Sequence, residues 1–167
     1  IHFGQFRKDS NLPYISHCYD VAKLLTQWKI NEVKMIQAAI LHDTIEDSSD
    51  PSFVRSQIQQ KCGEDILSFV EELTFVPSAH NKFEYLESFK DKSIEALVIK
   101  LADRICNVRD FLNSNNQYAR KYYEKANCLF QIFGARNKEI VKRFGEKVYQ
   151  NISWELSSLR DQFYHEY

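Results

Sequence analysis

The segment Ala38-Ala39-Ile40-Leu41-His42-Asp43-Thr44-Ile45-Glu46-Asp47 passes abruptly from apolar residues to one imidazole and three carboxylates. Neighbouring carboxylates repel one another and resist desolvation, so gathering them beside a hydrophobic run is costly unless a cation or solvent compensates. One further helical turn would set His42 over Glu46 and Asp43 over Asp47, because residues four apart share a face. A second polar intrusion, Asp103, lies in the most apolar stretch of the chain, Val98 to Asn107, with Asn107 four residues on and on the same face. Taken singly, Asp103 reads as the ion-pair partner of Arg104 or Arg109, and His17 as an ordinary hydrogen-bonded histidine. As a set, His17, His42, Asp43 and Asp103 supply mixed nitrogen and oxygen donors suited to an octahedral divalent ion. Manganese fits that set best, with iron, cobalt or zinc left open. Such an ion acidifies water and polarises phosphoryl oxygens, which are two requirements of phosphate-ester hydrolysis.

The elements that must position these residues are helical. Apolar residues recur at three- and four-residue intervals, and only four glycines and three prolines interrupt the chain of 167 residues. A first helix follows Pro13 and carries Ile15, Val21, Leu25 and Trp28. A second starts from Asn31 as N-cap and runs to His42. Asp50-Pro51 reads as a cap followed by proline at the first helical position, opening a short helix that ends near Gly63. Another holds Ile66 to Leu73. Residues 77–92 read as a loop with one short helix, a rim able to move. Leu97, Leu101, Ile105, Val108 and Leu112 mark a buried helix from Ser93, and amphipathic helices cover Gln117–Phe133 and Glu139–Gln162. The aromatic series Tyr118, Tyr122, Tyr123, Phe130 and Phe133 has helical spacing and reads as core rather than as a base-stacking surface. The expected class is all-α, in one domain over residues 1–167.

Composition narrows the function. With 44% hydrophobic and 27% charged residues the chain has the makeup of a soluble globular protein. A formal net charge of -1 offers no general field for nucleic acid or an anionic membrane, so an anionic substrate must be drawn by a local patch or a bound cation. No stretch approaches the roughly 20 apolar residues of a membrane span, and a signal-peptide pattern is absent from the start, which predicts a cytoplasmic protein. Cys18, Cys62, Cys106 and Cys128 form no CxxC pair and read as reduced thiols.

The succession His17, His42-Asp43, Asp103 resembles the H…HD…D signature of the HD superfamily of metal-dependent phosphohydrolases, whose fold is a helical bundle. Gly4-Gln5-Phe6-Arg7-Lys8, Pro13-Tyr14-Ile15-Ser16-His17, Leu41 to Asp47 and Lys100 to Arg109 narrow this further. Over roughly residues 2–133 they resemble the hydrolase domain of RelA/SpoT-type alarmone enzymes, including the small stand-alone hydrolases. The resemblance implies manganese held by His17, His42, Asp43 and Asp103, with Glu46 and Asp47 as the catalytic pair. It implies removal of the 3′-pyrophosphate of guanosine tetra- or pentaphosphate, giving GDP or GTP and pyrophosphate. Arg7 and Lys8 match the family's basic pair near the nucleotide, and Asn107 its nucleotide-contacting asparagine. Cys18 replaces the proline that often follows the first metal histidine, and Asp110 stands where long members carry threonine near the base. With no room for a synthetase domain in these residues, degradation of alarmone is expected rather than synthesis. With Ile1 in place of an initiator methionine, either a truncated chain or further residues before Ile1 are expected.

Two other readings compete. A nucleotidase or a phosphatase acting on a nicotinamide cofactor would use the same donor set, and substrate profiling separates them. A nucleotide sensor without catalysis would retain the metal site but show no metal-dependent turnover. The complete donor set and the Glu46-Asp47 pair favour the enzyme.

Overall fold

The computed structural model describes residues 4–7, 11–79 and 81–164. Among these residues the architecture is ten α-helices and one short 3-10 helix, Ser88–Lys90, and strand pairing is limited to one antiparallel bridge between Phe6 and Pro13. The helices are α1 (Ile15–Gln27), α2 (Val33–Leu41), α3 (Pro51–Cys62), α4 (Glu64–Leu73), α5 (Lys82–Glu87), α6 (Ile94–Ser114), α7 (Asn116–Lys125), α8 (Asn127–Ala135), α9 (Asn137–Phe144) and α10 (Glu146–Tyr164).

The centre is α6, which packs against α1, α2, α4, α7, α8 and α9. Every residue from Ala96 to Asp103 is buried, so this helix is enclosed on all sides, as an apolar helix in a core must be. Leu97, Ile99, Leu101 and Ile105 are fully buried, and each contributes about 1.5–3 kcal/mol by leaving water. Ser93 caps the helix by accepting the Ala96 amide at 3.1 Å. Against one side of α6 lie α1 and α2, contributing Val21, Leu24, Leu25, Met35, Ala38 and Ala39 to the same core. These three helices carry or adjoin all the residues expected to bind metal.

Local chemistry sets the element ends. Asp50 accepts the Phe53 amide at 3.0 Å and Pro51 occupies the first turn of α3, while Gly63, at φ 93°, turns the chain from α3 into α4. The cap of α2 departs from expectation: Glu32 and not Asn31 precedes the helix, and it makes no side-chain cap. Its carboxylate is instead taken by Arg143, at 2.8 and 2.6 Å. Two long helices read from periodicity are each broken in two. The Gln117–Phe133 run divides at Ala126, and the Glu139–Gln162 run divides at Gly145, whose φ of 90° takes the backbone out of the helical region. Periodicity alone does not register such breaks, because the apolar face resumes on the far side. Tyr123 and Phe133 of the aromatic series are buried, whereas Tyr118 is 48% exposed.

Candidate metal centre and active-site cleft

Helix α2 ends at Leu41, and residues 42–47 continue as a chain of turns rather than as another helical turn. The Asp47 amide still donates to the Asp43 carbonyl at 2.9 Å, and Thr44 donates both its amide and its hydroxyl to Leu41 O, at 2.9 and 2.7 Å. Because this segment turns instead of continuing the helix, residues four apart do not share a face: His42 is buried and Asp43 half-buried, while Glu46 and Asp47 are exposed.

His42 is fully buried, and its Nδ1 lies 2.7 Å from the Ala39 carbonyl oxygen. A carbonyl can only accept, so Nδ1 carries a proton, and in the neutral form of the ring the lone pair is on Nε2. That atom faces Asp43 Oδ2 at 2.9 Å and Asp103 Oδ1 at 3.7 Å. Despite the short approach, it has no hydrogen bond of acceptable direction. A lone pair confronting two carboxylates is repulsive unless a proton or a cation lies between them. Burial works against protonating this imidazole, but the fields of Asp43 and Asp103 prevail and raise its pKa well above the usual value. The same arrangement suits a divalent cation, for which neutral imidazole and carboxylate are good donors.

His17, on α1, approaches Asp103 Oδ1 through Nε2 at 3.1 Å, and the two residues are 2% and 4% exposed. The two imidazole rings stand 5.4 Å apart, edge to face. One ligating atom from each of His17, His42 and Asp103 falls within 4.8 Å of the others. Asp43 lies beside this group through its contact with His42, and its Oδ2 accepts the hydroxyl of Tyr14. Burial raises the Asp43 pKa, but His42 outweighs it and pulls the carboxyl down to about 2. Asp103 is likewise held well below the carboxylate range: burial opposes ionisation, and Lys100, His17 and His42 overcome it. A donor set of two imidazoles and two ionised carboxylates fits a divalent ion.

The partner of Asp103 is neither Arg104 nor Arg109, as its sequence context predicts, but Lys100, whose Nζ lies 2.8 Å from Oδ2. Arg104 instead lies over the Tyr122 ring at 4.7 Å, and Arg109 pairs with Glu155. Lysine three residues before an aspartate in an apolar helix is a legible signal for a buried pair, and it singles out Lys100 more directly than the adjacent arginines. Tyr14 was equally available: it lies within the motif around His17.

Tyr14, His17, Asp43, Lys100 and Asp103 line a cleft of about 1280 Å³ whose walls also include Glu46, Asp47, Asn107 and Arg7. That exceeds the volume of many small-molecule pockets and accommodates a nucleotide with several phosphates. Glu46 accepts the Phe75 amide at 3.0 Å through Oε2. Partial enclosure by the cleft walls raises its carboxyl pKa, against the lowering effect of the Phe75 amide. Asn107 donates to Asp103 Oδ1 at 2.6 Å, so one of its amide protons is committed beside the donor set. Arg7 is held by Asp110 at 3.1 Å and Asp20 at 2.6 Å. Its place is set by the pairing of its segment with residues 12–14, where the Arg7 amide donates to Leu12 O at 3.0 Å. Lys8 lies outside the described residues.

Comparisons with known proteins bear on the family and the fold. A family model described as HD domain matches residues 1–141. A zebrafish (Danio rerio) protein named guanosine-3′,5′-bis(diphosphate) 3′-pyrophosphohydrolase MESH1 is 32% identical over 152 residues, covering 85% of this chain and 83% of that protein. The Xenopus tropicalis protein of the same name is 36% identical over 114 residues, covering 65% of this chain; the match spans 62% of the relative's length. A solved structure described as a metazoan ortholog of SpoT that hydrolyzes ppGpp and plays a role in starvation responses superposes with a TM-score of 0.77. It covers 96% of this chain and 88% of that one at 23% sequence identity, a likeness of fold.

Proposed function

The chain belongs to the HD-domain family, and from that premise we propose that it hydrolyses the 3′-pyrophosphate of guanosine tetra- or pentaphosphate, yielding GDP or GTP and pyrophosphate. The residues that would hold the divalent ion, manganese in this reading, are His17, His42, Asp43 and Asp103. The observation that carries the proposal is the convergence of His17, His42 and Asp103 within 4.8 Å, with His42 Nε2 directed at two carboxylates and given no good hydrogen bond. The names of the relatives supply the substrate class.

When bound, a divalent ion supplies Lewis acidity, which favours deprotonation of water near neutral pH and draws charge from a phosphoryl oxygen. The chain's own residues supply the rest. Glu46, anchored through one oxygen by the Phe75 amide, has its other oxygen available to orient water and accept its proton. Burial favours the protonated state of Glu46, which suits a group that must later return the proton to the leaving ribose oxygen. Asp47 lies on the same cleft wall and shares that proton transfer. Arg7, oriented by two carboxylates, presents its remaining guanidinium surface to the nucleotide, and Asn107 orients the substrate beside Asp103. By sequence, Lys8 would complete the basic pair with Arg7. The four cysteines are free thiols, in keeping with a reducing cytoplasmic setting.

Incubating manganese-loaded protein with guanosine tetraphosphate and resolving the products tests the reading. GDP and pyrophosphate in equal amounts are expected. Orthophosphate alone would overturn it in favour of another phosphatase, and no metal-dependent turnover would leave a nucleotide sensor.

A further inference from the structure

Lys100 is 5% exposed in the middle of the most enclosed helix. An ammonium group in such a place is tolerated only when paired, since the cost of its desolvation is several kcal/mol. Here the partner is Asp103, whose Oδ2 lies 2.8 Å from Nζ. The ring of Tyr85 stands beside it, its centroid 5.4 Å from Nζ, and the Tyr85 hydroxyl is itself anchored on the Leu73 carbonyl. The amine therefore has little freedom to leave Asp103.

A pair that served only to neutralise two buried charges would leave the assignment of the carboxylate oxygens open. Here the oxygens are divided. Oδ2 receives Lys100 at 2.8 Å, while Oδ1 receives Asn107 at 2.6 Å and faces His17 Nε2 at 3.1 Å and His42 Nε2 at 3.7 Å. Lys100 and Asp103 lie one helical turn apart, so the rigid backbone of α6 sets the direction of this contact. We propose that Lys100 is a positioning residue for the metal centre: by occupying Oδ2 it fixes the Asp103 carboxylate so that Oδ1 alone is presented to the ion between the two histidines.

The inference rests on the reading of His17, His42, Asp43 and Asp103 as a metal site. Outer partners of metal ligands typically change affinity by about 10–100-fold. The full chain carrying Lys100→Met or Lys100→Gln is therefore titrated with Mn2+ alone, following free ion by its electron paramagnetic resonance signal, and the metal-free proteins are melted by circular dichroism. Lys100→Met, which fills the space without donating, is expected to lose about 10–100-fold in Mn2+ affinity while still folding. Lys100→Gln, which can still donate to Oδ2, is expected to recover part of that loss. Folded variants that both bind Mn2+ within about twofold of the parent would overturn the assignment. So would failure of both to fold, which would make the lysine a structural residue. Asp103→Ala, run alongside, separates the two levels. If it loses Mn2+ while the lysine variants keep it, only the role of Lys100 falls; if it too binds normally, the metal-site reading falls.

Discussion

The Nδ1 atom of His42 lies 2.7 Å from the carbonyl oxygen of Ala39, one turn earlier on the chain. That single contact places a proton on Nδ1 and holds the ring plane, leaving Nε2 as the atom that would ligate the proposed ion. His42→Ala should therefore remove metal and turnover together. Metal content by atomic absorption is expected to fall below stoichiometric loading, and kcat by more than about 100-fold, beyond the range for removing an outer partner. Retention of normal metal content with normal turnover would show that His42 is not a ligand.

Tyr14 supplies the comparable outer contact for Asp43. In Tyr14→Phe the ring remains beside His17, where the centroids are 5.6 Å apart, and only the hydroxyl is lost. The expected result is an unchanged fold and an Mn2+ affinity reduced roughly tenfold, the lower part of the range for such partners. Isothermal titration with Mn2+ reads this directly, and an affinity equal to that of the parent would assign Tyr14 a packing role only.

The half-buried Lys92 gives a pH prediction away from the metal centre. Its ammonium lies 4.5 and 4.3 Å from the ring centroids of Tyr85 and Phe89 and donates to the Glu72 carbonyl at 2.6 Å. Burial lowers its pKa from 10.5 to about 8, opposed by Glu72. A lysine with a depressed folded-state pKa releases its proton more readily when folded, so it opposes folding most at low pH. That penalty is relieved as pH rises from about 8 to 10.5. The stability of the parent relative to Lys92→Met should accordingly improve across that window in urea titrations. A constant difference would mean that Lys92 keeps an ordinary pKa.

The chemistry of the site was more legible in the sequence than its wiring. An imidazole and carboxylates at the end of an apolar run identify His42 and Asp43 because no packing argument accounts for them there. The helical class is equally legible, since the apolar spacing of α1, α2 and α6 repeats along their length. The partner of Asp103 was legible but missed: of the three nearby cations only Lys100 stands at a spacing that shares a helical face, and Arg104 lies over Tyr122 instead. The hold of Phe75 on Glu46 could not be read at all, because a backbone amide 29 residues away carries no side-chain signature. Asp50-Pro51 announced the start of α3 through its own chemistry, whereas the break at Ala126 has no comparable residue to mark it.

Glu46 and Asp47 remain the most informative pair to change. Glu46 is bound through one oxygen to the Phe75 amide, and both residues line the cleft beside the donor set without belonging to the group formed by His17, His42 and Asp103. If they manage the proton of the attacking water, Glu46→Gln keeps the shape, can still accept the Phe75 amide, and loses only the capacity to take a proton. Turnover is then expected to fall by about 10²–10⁴-fold, the ordinary contribution of general acid–base assistance, while Mn2+ content and KM change much less. Asp47→Asn should show the same split between kcat and KM. Groups that act on one proton are not additive, so the double variant should lose less than the product of the two single losses. Measuring kcat, KM and bound Mn2+ in all three variants decides the matter. Near-normal kcat in Glu46→Gln would reduce the pair to a charged rim of the cleft, and loss of Mn2+ in step with kcat would move Glu46 into the set of metal ligands.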